Sequence, residues 1–198
     1  MNDFYNAMAK RRSIRVLGNE AIISEERLMG LISHAVKCTP TSFNAQEQRV
    51  VLLLGKKHEW FWDLTKETLK GMLPAESFPE TEEKLNGFRG GVGTLLIYQD
   101  SAVVKGLQEA FPSYSDNFPI WANQASGMLE YTLWTSLSNE GYGASLQHYT
   151  NLIELAVNKE LNINKTWRMM TQIPFGSPKE EAGEKDFEPI EKRVLTFK

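Results

Sequence analysis

Apolar residues at i, i+3, i+4 and i+7 mark a helix near the start of the chain: Leu28, Leu31, Ile32 and Ala35 repeat at that spacing. Ser24 stands ahead of them as N-cap, with Glu25 and Glu26 in the first turn. A shorter helix comes before it, capped by Asn2 or Asp3 and carrying Phe4, Ala7 and Met8, and it runs into the basic cluster Arg11-Arg12-Ser13-Ile14-Arg15. After the second helix comes the polar loop Thr39-Pro40-Thr41-Ser42-Phe43-Asn44-Ala45-Gln46, then the apolar run Val50 to Leu54, which reads as a buried strand closed by Gly55. Helices are expected over 57–73, 79–88 and 101–111, with a buried strand over Thr94 to Tyr98 behind the glycines at 90, 91 and 93. The span 121–140 is helical and carries Ala125, Met128, Leu129, Leu133 and Leu137 without a clear polar face, as a helix buried in a core or an interface does. Gly141 and Gly143 break it; a helix over 151–160 and strands over 167–173 and 192–197 complete an α+β pattern without repeats or linkers. Strands and helices do not alternate strictly, so a doubly wound parallel sheet is not expected.

Composition narrows the functional classes. With 198 residues, 41% hydrophobic and 24% charged, the chain is expected to form one domain over 1–198 with a sizeable core. The 22 basic residues against 25 acidic ones leave a net charge of −3, so no global positive field is available for a nucleic-acid backbone and any anion site has to be local. Cys38 is the single cysteine and the three histidines are scattered, which gives neither an intramolecular disulfide nor a zinc-ligand spacing. The polar start of the chain and the short apolar runs point to a cytoplasmic protein without a membrane segment.

Three local constellations carry chemistry. Arg11, Arg12 and Arg15 with Ser13 suit a phosphomonoester, since guanidinium groups form forked, charge-assisted bonds; a solvated basic turn at a helix end is the plain alternative. The 39–46 loop offers hydroxyls at Thr41 and Ser42 and amides at Asn44 and Gln46, which match the donor and acceptor edge of a heterocycle or serve an ordinary helix-to-strand turn. The segment Gly141-Tyr142-Gly143-Ala144-Ser145-Leu146-Gln147-His148 is expected to leave main-chain amides free for developing negative charge, with a tight turn between a buried helix and the next element as the plain alternative. No Ser, Cys or Asp is spaced to form a triad with His148, so no side chain is assigned as a catalytic acid or nucleophile. Phe118 and Trp121, with Phe111 and Tyr114, are candidates for the wall of a pocket for a flat substrate or for packing on a partner, and Arg193 in the last strand is a candidate to join the N-terminal arginines.

The order of these motifs resembles the FMN-dependent nitroreductase-like family: Arg-Arg-Ser-x-Arg after a first helix, Pro-Thr-Ser-Phe-Asn-x-Gln after a second, Gly-x-Gly-Ala-Ser-Leu-Gln-His-Tyr after a long apolar helix, and a late Lys-Arg. Gly93 to Asp100, Asp116 to Trp121 and Leu146 to Tyr149 look like the subgroup of copper-induced and fatty-acid-repression-mutant-type proteins. The resemblance implies a three-layer α-β-α sandwich around a mainly antiparallel sheet, in an intertwined homodimer joined through the long helix. It further implies FMN held by Arg11, Arg12, Ser13, Arg15 and Arg193, with Thr41, Ser42, Asn44 and Gln46 from the other subunit and Ser145, Leu146, Gln147 and His148 along the ring near N5. NADH or NADPH would donate hydride, and nitroaromatics, quinones or similar electron-poor acceptors would take the electrons in a second step. A flavin- or fatty-acid-binding regulatory protein with little turnover is the alternative that the resemblance leaves open.

Overall fold

The computed structural model describes residues 3–198, so Asn2 lies outside the described residues and the first helix, α1 (Asp3–Lys10), opens on Asp3. The chain continues through β1 (Leu17–Gly18), α2 (Glu25–Cys38), a 3-10 turn at Ser42–Asn44, β2 (Gln48–Leu54), α3 (Gly55–Lys70) and α4 (Phe78–Arg89). Then follow β3 (Gly93–Asp100), α5 (Ser101–Ala110), α6 (Phe118–Asn139), β4 (Gly143–Ala144), α7 (Thr150–Glu160) and β5 (Trp167–Pro178). Ser24 caps α2 as the sequence implies, its side chain accepting from the Arg27 N–H at 3.2 Å. None of the helices is long and apolar enough to cross a membrane among the described residues.

The sheet runs β1-β5-β3-β2 with β4 also on β5, and each strand pairing is antiparallel. Its middle strand, β3, is buried on both faces, which is why Leu95 to Tyr98 form a continuous apolar run. Side chains alternate along it. Leu95 and Ile97 face Leu28, Ile32, Leu129 and Leu133 of α2 and α6, whereas Leu96 and Tyr98 face Phe61, Trp62, Leu85, Phe88 and Val157 of α3, α4 and α7. Two apolar layers on one sheet make a three-layer α-β-α sandwich.

A buried polar chain ties α3 to this sheet. His58, 1% exposed, places Nε2 3.1 Å from the Arg89 carbonyl and Nδ1 2.8 Å from Thr94 Oγ1, which also accepts from Trp62 Nε1 at 2.9 Å. The carbonyl only accepts, so Nε2 carries the proton and Nδ1 accepts from the threonine hydroxyl, which fixes a neutral imidazole. Burial, partly offset by the bond to Arg89, pushes the His58 pKa down to about 4.

One expected element does not form. Residues 192–197 are not a strand: a 3-10 turn at Ile190–Lys192 leads into a segment with no sheet partner, and Val194, Leu195 and Phe197 are 60%, 72% and 90% exposed. An apolar strand needs a sheet edge to pair with, and within its own chain this segment is carried past the end of β5 without meeting one.

Candidate functional site

The arginine turn is placed by close packing on two sides. A Cβ at Gly87 would sit 2.8 Å from the Arg15 carbonyl oxygen and one at Gly90 2.6 Å from that of Leu17, so α4 lies flush against this segment because both positions lack a side chain. On the other side, Ser13 pairs with Ala144 and the Ile14 N–H bonds the Ala144 carbonyl at 3.0 Å. That carbonyl also accepts from Trp134 Nε1 at 3.1 Å. The Arg11 guanidinium lies over the same Trp134 ring at 4.2 Å, and its Nε is buried with no hydrogen-bond partner. Trp134 of α6 therefore joins two of the three constellations, the arginine turn and the 143–148 segment.

Arg11, Arg12, Ser13 and Arg15 line a cavity of about 290 Å³ together with Gly183, Glu184 and Lys185. The segment after β5 passes over it as a strap. Arg12 donates to the Gly183 carbonyl, and a Glu180 carboxylate oxygen accepts from the N–H groups of Arg15 at 2.8 Å and Val16 at 3.2 Å. Arg193 lies beyond this strap in the exposed tail and has no side-chain hydrogen bond or ion pair among the described residues, so within one chain it does not join the other arginines.

Segment 143–148 runs antiparallel along β5. Gly143 pairs with Gly176, Ala144 with Phe175, and Gln147 exchanges main-chain bonds of 2.8 and 3.0 Å with Gln172. The N–H groups of Ser145 and Gln147 are thus spent on β5, which corrects the expectation of a wholly free run of amides. Those of Leu146 and His148 have no protein partner among the described residues. Gln147 Nε2 donates to the buried Ser145 hydroxyl at 3.0 Å, so these two side chains stiffen the segment while His148 is exposed.

The third constellation lies elsewhere. Phe43, Asn44 and Gln46 hold left-handed φ values of 57°, 52° and 52°, a conformation costly for residues with a side chain and retained where the surroundings fix it. Thr41 supplies part of that restraint, its hydroxyl accepting from the Gln46 N–H at 2.9 Å. Thr41, Asn44 and Gln46 line a cleft of about 190 Å³ with Thr39, Lys37 and Gln48, while Ser42 lends its carbonyl to the turn. Phe43 points the other way, into rings at the end of α5 and the start of α6: Phe111 at 4.9 Å, Phe118 at 5.4 Å and Trp121 at 6.3 Å, the last nearly parallel to it.

That packing changes the substrate-wall expectation. Phe118 is 2% exposed and lies beneath the cluster, where no ligand reaches it, whereas Phe43 is 53% exposed and Trp121 is partly buried. Phe43 was not singled out, although an aromatic residue inside an otherwise polar loop was the available signal. Trp121 marks the loop end of α6 and Trp134 the arginine end; at 1.5 Å rise per residue the two ends are about 20 Å apart. Among the described residues no three His, Cys, Asp or Glu side chains gather to hold a metal ion.

Residues 8–177 match the Nitroreductase family, and the chain belongs to it; its chemistry is of the nitroreductase type, an oxidoreduction. Among solved structures it is similar to nitroreductase CinD from Lactococcus lactis in complex with chloramphenicol, with 39% identity, a TM-score of 0.90, and coverage of 98% of this chain and 100% of CinD. CinD has also been solved in complex with 4-nitrophenol. The Saccharomyces cerevisiae proteins HBN1 and FRM2, the latter a nitroreductase, are 29% and 28% identical over 93% of this chain, covering 92% and 93% of their own lengths.

Proposed function

We propose that the chain is a single-domain, cytoplasmic flavoenzyme that works as a homodimer, binds FMN and uses NADH or NADPH to reduce small electron-poor aromatics such as nitroaromatics and quinones. The observation that carries the reading is the Arg11 group: a guanidinium fixed over Trp134, with a buried Nε lacking a partner, at the edge of a cavity lined by two more arginines and a serine. A phosphate there satisfies both the charge and the orphaned donor. Arg11, Arg12, Ser13 and Arg15 hold the phosphate end. The free N–H groups of Leu146 and His148, stiffened by Ser145 and Gln147, face the N5 edge of the ring. When bound, FMN supplies a two-electron centre that takes hydride from the nicotinamide and releases it to an acceptor of the kind CinD holds, such as 4-nitrophenol.

The separation of the constellations supports the dimer. The loop carrying Thr41, Ser42, Asn44 and Gln46 packs through Phe43 at the Trp121 end of α6 and Arg11 at the Trp134 end, ends about 20 Å apart, which argues against both gripping the same ring from one chain. Antiparallel pairing of α6 about a two-fold axis sets the loop of one protomer beside the arginines of its partner. Along its outer face α6 carries Ile120, Gln124, Gly127, Met128 and Tyr131, all exposed, and a Cβ on Gly127 meets nothing within 4 Å. A glycine in an exposed helix centre costs about 1 kcal/mol relative to alanine, and it serves close approach of another helix. The apolar tail from Ile190 to Phe197 then lies along the partner, and Arg193 reaches a phosphate only from that laid-down position.

FMN titrated into the purified protein is expected to lose its fluorescence at one equivalent per protomer. Gly127→Trp is accommodated by a lone chain, so the variant is expected to keep its circular dichroism, run as a monomer in gel filtration with light scattering, and lose FMN uptake at the same time. A folded monomer that binds FMN as tightly as the parent contradicts the shared site.

A further inference from the structure

Glu47 stands between the polar loop and β2, with its side chain buried at 2% exposure. Its main-chain carbonyl accepts from the Asp100 N–H at 2.8 Å, which fixes the backbone there against the end of β3. Of its carboxylate oxygens, Oε1 accepts from Gln48 Nε2 at 2.9 Å and Oε2 is buried with no hydrogen-bond partner. Arg49, the adjacent cation in the sequence, is turned instead to Asp100 and to the carbonyls of Gln46 and Gln48. Among the described residues the Gln48 amide is thus the donor on which this buried carboxylate depends, and leaving such a group unpaired is costly.

The consequence falls on Gln48. A side-chain amide has a donor end and an acceptor end of nearly the same shape, and its partners decide which way it faces. A carboxylate only accepts, so the Gln48 NH2 is held towards Glu47 and Oε1 is the end left over. Gln48, 7% exposed, lines the cleft of about 190 Å³ with Thr41, Asn44 and Gln46, and its Oε1 has no hydrogen-bond partner among the described residues. The Thr41 hydroxyl accepts from the Gln46 N–H and keeps its own proton to donate, while the Asn44 side-chain amide is free to turn either end to a ligand.

We infer that Gln48 is the acceptor for the imide N–H of the flavin ring, that Thr41 and Asn44 donate to the carbonyls on either side, and that Glu47 is the positioning residue that fixes the Gln48 amide; this rests on the flavoenzyme reading above. An imide edge presents acceptor, donor and acceptor in a row, so the protein has to present donor, acceptor and donor. The middle place is the demanding one, because an amide turned end for end there sets NH2 against N–H. Glu47 removes that alternative. The cleft has room for the edge of a ring, which is the part this array reads.

The first test needs no flavin. The Gln48 side-chain NH2 is followed by NMR in the full chain, assigned by its absence in Gln48→Leu, and its signals are expected to move and to exchange with solvent about tenfold faster in Glu47→Gln. FMN and its N3-methyl derivative, which lacks the imide proton, are then titrated into the parent and both variants by fluorescence quenching. The parent is expected to prefer FMN by at least about tenfold, since the methylated ring leaves Gln48 Oε1 unpaired. Gln48→Leu is expected to bind FMN about tenfold more weakly and to lose most of that preference; leucine is close to glutamine in size, so the bulk of the methyl group meets the same wall in both proteins. Glu47→Gln is expected to fall between them. Equal FMN affinities in the three proteins, or an undiminished preference for FMN in Gln48→Leu, overturns the inference, and a Gln48 amide signal unchanged in Glu47→Gln overturns the role of Glu47. Should Glu47→Gln fail to fold, Glu47→Asp, which draws the carboxylate back by one methylene, is expected to shift the same readings in the same direction. A parent chain that takes up neither flavin defeats the flavoenzyme reading itself.

Discussion

Arg11→Ala is expected to weaken FMN binding on the order of a hundredfold, because a charge-assisted hydrogen-bonding group contributes about 1.5–3 kcal/mol and about 1.4 kcal/mol is tenfold in affinity. Most of the cost of organising Arg11 is met before any ligand arrives. Its guanidinium is already stacked 4.2 Å over Trp134, with Nε out of water and unpaired. Arg11→Lys is expected to lose nearly as much, since an ammonium is a point charge that neither stacks as a plane nor offers the forked donors. Arg12→Ala is expected to lose less, as Arg12 is engaged with the Gly183 carbonyl of the strap and brings less unspent capacity to a phosphate. Calorimetric titration of FMN into the three variants gives the ranking. Equal affinities for Arg11→Ala and the parent contradict the assignment of the phosphate to this turn.

Acid is expected to remove about 3 kcal/mol of folding stability through His58 alone. Its pKa in the fold is about 4 against 6.5 ordinarily, and each unit is worth about 1.4 kcal/mol. Because the folded value is depressed, the unfolded chain binds the extra proton first: the contribution is complete above about pH 6.5 and is lost as pH falls towards 4. Protonation would put a second N–H on the ring, aimed at Thr94 Oγ1, in an apolar layer between Phe61, Trp62 and Phe88. His58→Gln is expected to be less stable than the parent at pH 7, where it forfeits the chain from Arg89 to Trp62, and to lose less between pH 6.5 and 4. Urea unfolding at several pH values checks this; parallel pH profiles for the two proteins rule His58 out as the group responsible.

Where local chemistry decides an element, the sequence showed it. The period of Leu28, Ile32 and Ala35 behind Ser24 marks α2, and the apolar run around Val50 marks β2. Prolines explain the shifted boundaries. Pro119 sits in the first turn of α6, where its missing N–H costs nothing, so the helix begins at Phe118 rather than near 121. Pro174 reads as a strand stop, yet β5 runs on to Pro178, because Pro174 still offers its carbonyl, taken by the Ser145 N–H. The strand expected over 192–197 needs a sheet edge to pair with, which local pattern does not encode, and within this chain the segment meets none.

The site divides in the same way. Its three polar constellations are visible as residue types in order, but which of them lie together in the fold depends on the length of α6, which sets Trp134 and Trp121 at opposite ends. Exposure within the aromatic cluster was equally invisible: Phe118 and Phe43 are both phenylalanines, and only the left-handed turn at Phe43 puts one ring over the other. Glu130 of α6 did leave a signal, a carboxylate inside an apolar helix, but its partner, the Thr171 hydroxyl at 2.7 Å, comes from β5.

The most direct test of the central claim is the visible absorption of the FMN-loaded protein under anaerobic conditions, recorded before and after NADH or NADPH and again after 4-nitrophenol or a quinone. The account predicts flavin bands that bleach with at least one nicotinamide and return with the acceptor, each step proceeding in the absence of the other reactant. A protein that takes up no FMN, or whose bound flavin neither bleaches with a nicotinamide nor recovers with an acceptor, would contradict it.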